Sequence, residues 1–146
     1  MVVVIDANIL ISASLNLNGK MANLIFSNSS KINFVTPVFV QYEIKENETR
    51  ICSRNRISKD EFNQNIILLL TKILLFNDDE IPEEIFKDAY GLTKHIDPAD
   101  TIYTALAISL GALLWTGNLK LLRGLKKNGF RHIITTSDLE QIVKGL

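Results

Sequence analysis

The chain carries a single cysteine, Cys52, in 146 residues, so no disulfide forms within it, and a reducing, cytoplasmic setting is the expectation. No stretch approaches the ~20 apolar residues of a membrane span, and the first residues lack the basic region that opens a signal peptide, so no membrane association is expected. Neither the Gly-x-x-x-x-Gly-Lys nor the Gly-x-Gly-x-x-Gly phosphate loop occurs, and there is no Gly-x-Ser-x-Gly elbow. Histidine is scarce, and His95 and His132 are isolated positions that read as surface or packing residues. An excess of one charge is also missing: 16 Lys plus Arg balance 16 Asp plus Glu, so net charge gives no support for nucleic-acid binding. Without repeats, low-complexity tracts or linkers, residues 1–146 read as one domain, long enough to bury roughly two-thirds of its unfolded surface.

What is present is organised around the first eight residues. Four branched aliphatics, Val2, Val3, Val4 and Ile5, run without alternation and stop at Asp6-Ala7-Asn8. Such a run reads as a strand buried on both faces, at the centre of a parallel sheet. Asp6 then stands at the strand's carboxyl end, where open α/β sheets bind ligands.

Downstream, residues 8–15 read as a short buried helix with Asp6 or Ala7 near its cap, and 20–28 as a second helix. A strand at 33–36 precedes Pro37, a residue suited to the first turn of the next helix, 38–55. Ser58 and Glu61 form a capping-box signature for a helix reaching about Ile73, whose Ile66, Ile67, Leu69, Leu70 and Ile73 read as core or arm packing. Residues 74–76 are a third strand, and Pro82 starts a helix ending between Gly91 and His95. The helix at 101–110 carries small residues, Ala105, Ala107 and the adjoining Gly111, that let it pack closely on a sheet. A strand at 113–115, with Trp115 in the core, ends in Thr116-Gly117-Asn118. A helix at 119–127, a strand at 132–135 and a final helix capped by Ser137 complete the chain. This alternation predicts a three-layer α/β sandwich with a central parallel sheet of about five strands and right-handed crossovers.

Charge is unevenly placed. Between Asp78 and Asp100 there are eight acidic residues against Lys87 and Lys94, whereas Thr101 to Ser137 holds no acid but Lys120, Arg123, Lys126, Lys127 and Arg131. That pattern fits a basic rim beside an acidic site, and equally two solvated helical faces of opposite sign. On the 38–55 helix, Asn47, Arg50 and Arg54 fall within about 40° of Glu43. This stripe reads as a carboxylate followed by phosphate-binding guanidinium groups, or as intrahelical pairing such as Glu46 with Arg50.

Asp6, Glu43, Asp97, Asp100 and Asn118 all lie where strands hand over to helices or where a helix faces the sheet. Each has a structural explanation of its own: Asp6 and Asn118 as helix caps, Asp97-Pro98-Ala99-Asp100 as cap, N1 proline and N3 acid, and Thr116 as a strand-end hydroxyl. Capping does not predict convergence at one sheet edge. Carboxylates gathered there repel unless a cation neutralises them, and oxygen ligands without His or Cys suit Mg²⁺ or Mn²⁺. An aspartyl-phosphate enzyme also places an Asp after strand one, but usually with a second Asp two residues on, where Asn8 stands.

The segments Val4-Ile5-Asp6-Ala7-Asn8-Ile9-Leu10, Glu43 in the helix after the second strand, Asp97-Pro98-Ala99-Asp100-Thr101-Ile102-Tyr103, and Leu114-Trp115-Thr116-Gly117-Asn118-Leu119-Lys120 together resemble PIN-domain nucleases, which include toxins of prokaryotic toxin–antitoxin pairs. The resemblance spans nearly the whole chain, in order. It implies a metal-dependent endoribonuclease with Asp6, Glu43 and Asp100 as metal ligands, Asp97 as an accessory acid and Thr116 as a hydroxyl near the metal. Asn8, Arg50, Arg54, Lys120 and Arg123 would contact RNA. It further implies a homodimer and a small antitoxin protein as partner. One departure stands out: the family's fourth acid, usually an Asp after Thr-Gly, is Asn118, which keeps an oxygen and loses a charge. That favours one held metal over two, and sets against the nuclease an alternative, a catalytically degenerate module that binds RNA or a protein partner.

Overall fold

The computed structural model describes residues 1–146. Its strands β1 (Val2–Ile5), β2 (Asn33–Pro37), β3 (Leu74–Phe76), β4 (Leu113–Trp115) and β5 (Ile133–Ile134) form one parallel sheet in the order β3-β2-β1-β4-β5. β1 is the central strand, with Val4 opposite Val35 on one side and Leu114 on the other. Its aliphatic run is buried as expected: Val3, Val4 and Ile5 have no exposed surface. From β1 the chain steps outward to β2 and β3, then returns to place β4 on β1's other flank. The gap between the carboxyl ends of β1 and β4 is therefore the topological switch point, the position at which doubly wound sheets open a crevice.

The helices are α1 (Ala7–Leu15), α2 (Lys20–Asn28), α3 (Phe39–Asn55), α4 (Lys59–Leu70), α5 (Glu83–Thr93), α6 (Thr101–Leu110), α7 (Leu119–Lys127) and α8 (Thr136–Lys144). α1 to α4 pack on one another with α8 against α2, while α5, α6 and α7 form a second group in which α6 lies across β1, β2 and β4. Right-handed crossovers in opposite directions from β1 put these groups on opposite faces, giving three layers. Ala105 and Ala107 on α6 are buried, so the small residues do bring that helix close to the sheet. Trp115 is fully buried, its ring 6.1 Å from that of Phe34 and its Nε1 donating to Thr136 Oγ1 at 3.0 Å.

Several local expectations are corrected. Pro37 closes β2 instead of opening a helix, since its missing N–H is tolerated at a strand end. α4 stops at Leu70, and of its apolar run Ile66 and Leu69 are buried while Ile67 is exposed. The final helix is capped by Thr135, not Ser137: Thr135 Oγ1 accepts from Asp138 N at 3.1 Å, and Asp138 Oδ2 accepts from Thr135 N at 2.9 Å. Ser58 does cap α4, accepting from Glu61 N at 3.1 Å.

α3 has no cap of its own, because Val38 precedes it and offers no acceptor. Asp78, in the 3₁₀ turn after β3, supplies one from 39 residues away, its Oδ2 accepting from Phe39 N at 3.0 Å. The acidic turn thus anchors the helix that carries Glu43. Asp78→Ala should lower unfolding free energy by about 1 kcal/mol, the usual worth of an N-cap. A urea titration would show this as a lower midpoint at unchanged slope; an unmoved midpoint would mean that the contact contributes nothing to α3.

Candidate active site

Four acidic residues meet at the carboxyl edge of the sheet. Asp6, buried at the end of β1, is held from two sides: Oδ1 accepts from Ile9 N at 2.9 Å, capping α1, and Oδ2 accepts from the hydroxyl of Thr116 at the end of β4. Thr116 Oγ1 in turn accepts from Asn118 N at 3.0 Å. The switch point is therefore closed by a side-chain bridge between its two strands.

Glu43 faces this edge from the second turn of α3, half-buried. The phenol of Tyr103, fully buried on α6, donates to its Oε1 at 3.1 Å. Asp100 is buried at the junction into α6, and Asp97 ends the preceding loop with its Oδ1 accepting from Ala99 N at 3.2 Å. That loop is seated on α7 through Ile96, whose side chain fills the space a Cβ at Gly124 would need.

Electrostatics show that these groups act on one another. Burial lifts the Asp6 carboxyl to about 6, against the pull of its bonds from Thr116 and Ile9, and Glu43 lifts it further. Burial likewise pushes Asp100 up to about 8, reinforced by the charges of Asp6, Asp97 and Glu43. Glu43 is raised by burial and by Asp97, while the Tyr103 phenol offsets part of the rise. The Tyr103 phenol is itself raised by burial and by Glu43, so it stays a donor at any ordinary pH. No cationic side chain pairs with any of these acids. The molecule's ion pairs, Lys20–Glu140, Lys45 and Lys59 with Glu48, and Lys87–Glu83, all lie elsewhere.

An all-oxygen donor set with uncompensated charge fits a hard divalent cation. The ligands are not gathered on a common point, since no three acidic, His or Cys side chains form a chelating group. Asp6 and Glu43 are turned to Thr116, Ile9 and Tyr103 instead, so ligation would require their side chains to rotate.

The remaining sequence candidates divide. Asn8, Asn47, Arg50 and Arg54 line a cavity of about 210 Å³ together with Glu43. Arg50 does not pair with Glu46; its Nη2 donates to Asn47 Oδ1 at 2.8 Å. Asn118 spends its side-chain oxygen on the α7 cap, accepting from Leu121 N at 3.1 Å, and reaches the acidic cluster only through its backbone bond to Thr116. Lys120 and Arg123 are exposed on α7. Tyr103 is the residue sequence reasoning missed, although a lone phenol in an apolar helix needs a polar partner when buried.

Asp6 and Asp100 hold their protons more tightly folded than unfolded, so the folded state binds more protons and stability falls as pH rises. The contribution is complete below the ordinary carboxylate value of 3.8 and is lost as pH climbs through about 6 for Asp6 and about 8 for Asp100. In EDTA the protein should melt at a higher temperature at pH 5 than at pH 8, with a narrower gap in Asp100→Asn. An equal gap in Asp6→Asn, Asp100→Asn and the unsubstituted protein would contradict the crowding.

In comparisons with known proteins, the sequence model of the PIN domain matches residues 4–140. No curated protein matches the chain. Two solved structures are similar in fold: VapBC2 from Rickettsia felis bound to a DNA fragment from their promoter, at TM-score 0.68 and 15% identity over 92% of this chain and 97% of that one, and PAE2754 from Pyrobaculum aerophilum, at TM-score 0.70 and 16% identity over 99% and 90%. With a five-stranded parallel sheet flanked by helices, crowded acids at its switch point and a match across nearly its whole length, this chain belongs to the PIN-domain family.

Proposed function

We propose that the protein is a metal-dependent endoribonuclease in which Asp6, Glu43 and Asp100 hold Mg²⁺ or Mn²⁺ and Asp97 adds negative charge beside them. The observation that carries this reading is four neighbouring carboxylates, none paired with a cationic side chain, at the switch point of a PIN fold, with Asp6, Glu43 and Asp100 raised by burial and by the acids beside them. A divalent cation bound there would supply an activated water and would stabilise charge on the phosphodiester oxygens. The protein's own groups do the positioning. Thr116 and the Ile9 N–H fix Asp6 at the sheet edge, and the Tyr103 phenol tethers Glu43 through its Oε1. Thr116 stands beside the reacting region, and Lys120 and Arg123 face solvent on the helix that begins there, suited to backbone phosphates.

Family membership and likeness to VapBC2 support a toxin–antitoxin setting with a small antitoxin protein as partner. A homodimer as the working unit and the cytoplasm as location belong to the same proposal and rest on the family resemblance alone. A second reading, a non-catalytic module that binds RNA or a protein, is favoured by two observations: Asn118 lends no charge, and the carboxylates are not gathered for chelation.

Incubation with labelled RNA separates the two. The nuclease reading expects cleavage in Mn²⁺ that EDTA abolishes, and a loss of at least about 100-fold in Asp6→Asn, the scale of removing one well-placed electrostatic group. Cleavage that survives in Asp6→Asn would point to a contaminant, and no cleavage by either protein would favour the binding module. Independently of activity, Mn²⁺ at about 100 times its dissociation constant should stabilise the fold by about 2.7 kcal/mol. Identical melting curves in Mn²⁺ and EDTA would rule out the metal pocket.

A further inference from the structure

We propose that the cavity between α1 and α3 is a subsite for the backbone phosphates of single-stranded RNA that flank the scissile one, a deepening that rests on the nuclease reading above. The cavity, about 210 Å³, opens beside Glu43 and is backed by Ile11 and Ile51. It lies below the roughly 300 Å³ at which pockets accept a complete drug-sized ligand. A ribose-phosphate segment of a longer strand, by contrast, fits.

Its polar wall is built. Asn47 Nδ2 donates to the Glu43 carbonyl at 2.8 Å, and Asn47 Oδ1 accepts from Arg50 Nη2 at 2.8 Å. This relay ties the guanidinium of Arg50 to the helical turn that carries Glu43. Because the acceptor is a neutral amide, Arg50 gains a fixed direction without losing its charge. Glu46, one turn back and spaced for an ion pair, is not used, and neither Arg50 nor Arg54 has a carboxylate within 4.0 Å. Two uncompensated guanidinium forks, that of Arg50 held in direction by Asn47, adjoin a cluster of uncompensated carboxylates. A polyanion whose reacting phosphate sits at the acids would have neighbouring phosphates on the arginines, where planar forks bind them bidentately.

Arg50 and Arg54 are exposed, so their substitution spares the core. A fluorescein-labelled short single-stranded RNA, in EDTA so that metal-dependent cleavage is off, is titrated with the full-length protein across a series of KCl concentrations. Each of Arg50→Gln and Arg54→Gln should make the slope of log affinity against log salt shallower by about 0.7, the value for one phosphate contact on a single strand. Asn47→Ala should weaken binding while keeping the slope, because the charge remains and only its direction is lost. A double arginine variant with the unsubstituted protein's slope, or no saturable binding by the unsubstituted protein, overturns the subsite; in the first case the arginines are left to an acidic protein segment. The two readings fail separately: metal-dependent cleavage with an unmoved slope sinks the subsite alone, and a reduced slope without cleavage in Mn²⁺ sinks the nuclease alone.

Discussion

Like-charge repulsion among buried and half-buried carboxylates is the constraint around which the sheet edge is arranged. Asp6, Glu43 and the Asp97–Asp100 turn come from three separate stretches of chain; Glu43 raises the charging cost of Asp6, Asp97 that of Glu43, and all three that of Asp100. Such a cluster persists only if the surrounding structure is stiff enough to hold it. Here the stiffness comes from a central strand buried from Val3 to Ile5 with Val2 partly buried against the core, from a core of 35 buried apolar residues, and from individual tethers on the acids themselves. Thr116 and Tyr103 are the tethers that matter most, one from β4 and one from α6.

The fold was legible because its signals were redundant. A two-faced buried run, small residues on the helix that crosses the sheet, and caps at Asp6, Ser58 and Asn118 each announce themselves locally. What stayed hidden was tertiary. Nothing near Val38 shows that α3 is capped by Asp78, because the donor and acceptor are brought together only when β3 pairs with β2. The cap of α8 lies two residues before Ser137 because Thr135 and Ser137 carry equivalent hydroxyls, and only the end of β5 decides which of them is extended.

The candidate site divides along the same line. Of the acids only Asp6 ends a strand, so its place at the sheet edge followed from topology; Glu43 lies inside α3, and Asp97 and Asp100 in the turn between α5 and α6. Their hydrogen bonds did not follow, since the partner of Glu43 sits 60 residues away on another helix. On α3 the spacing rule placed Glu43, Asn47, Arg50 and Arg54 on one stripe, as observed, but could not choose between Glu46 and Asn47 as the neighbour of Arg50. A formal net charge of zero concealed all of this, because it sums an acidic edge with basic positions that never pair with it.

The outer strands carry a different consequence. β3 has three residues and β5 two, so the sheet offers almost no template on which another polypeptide could add a strand. Recognition by a protein partner, whatever its identity, is thereby directed to helical surfaces, and the same brevity guards a strongly apolar sheet against edge-to-edge stacking into fibres.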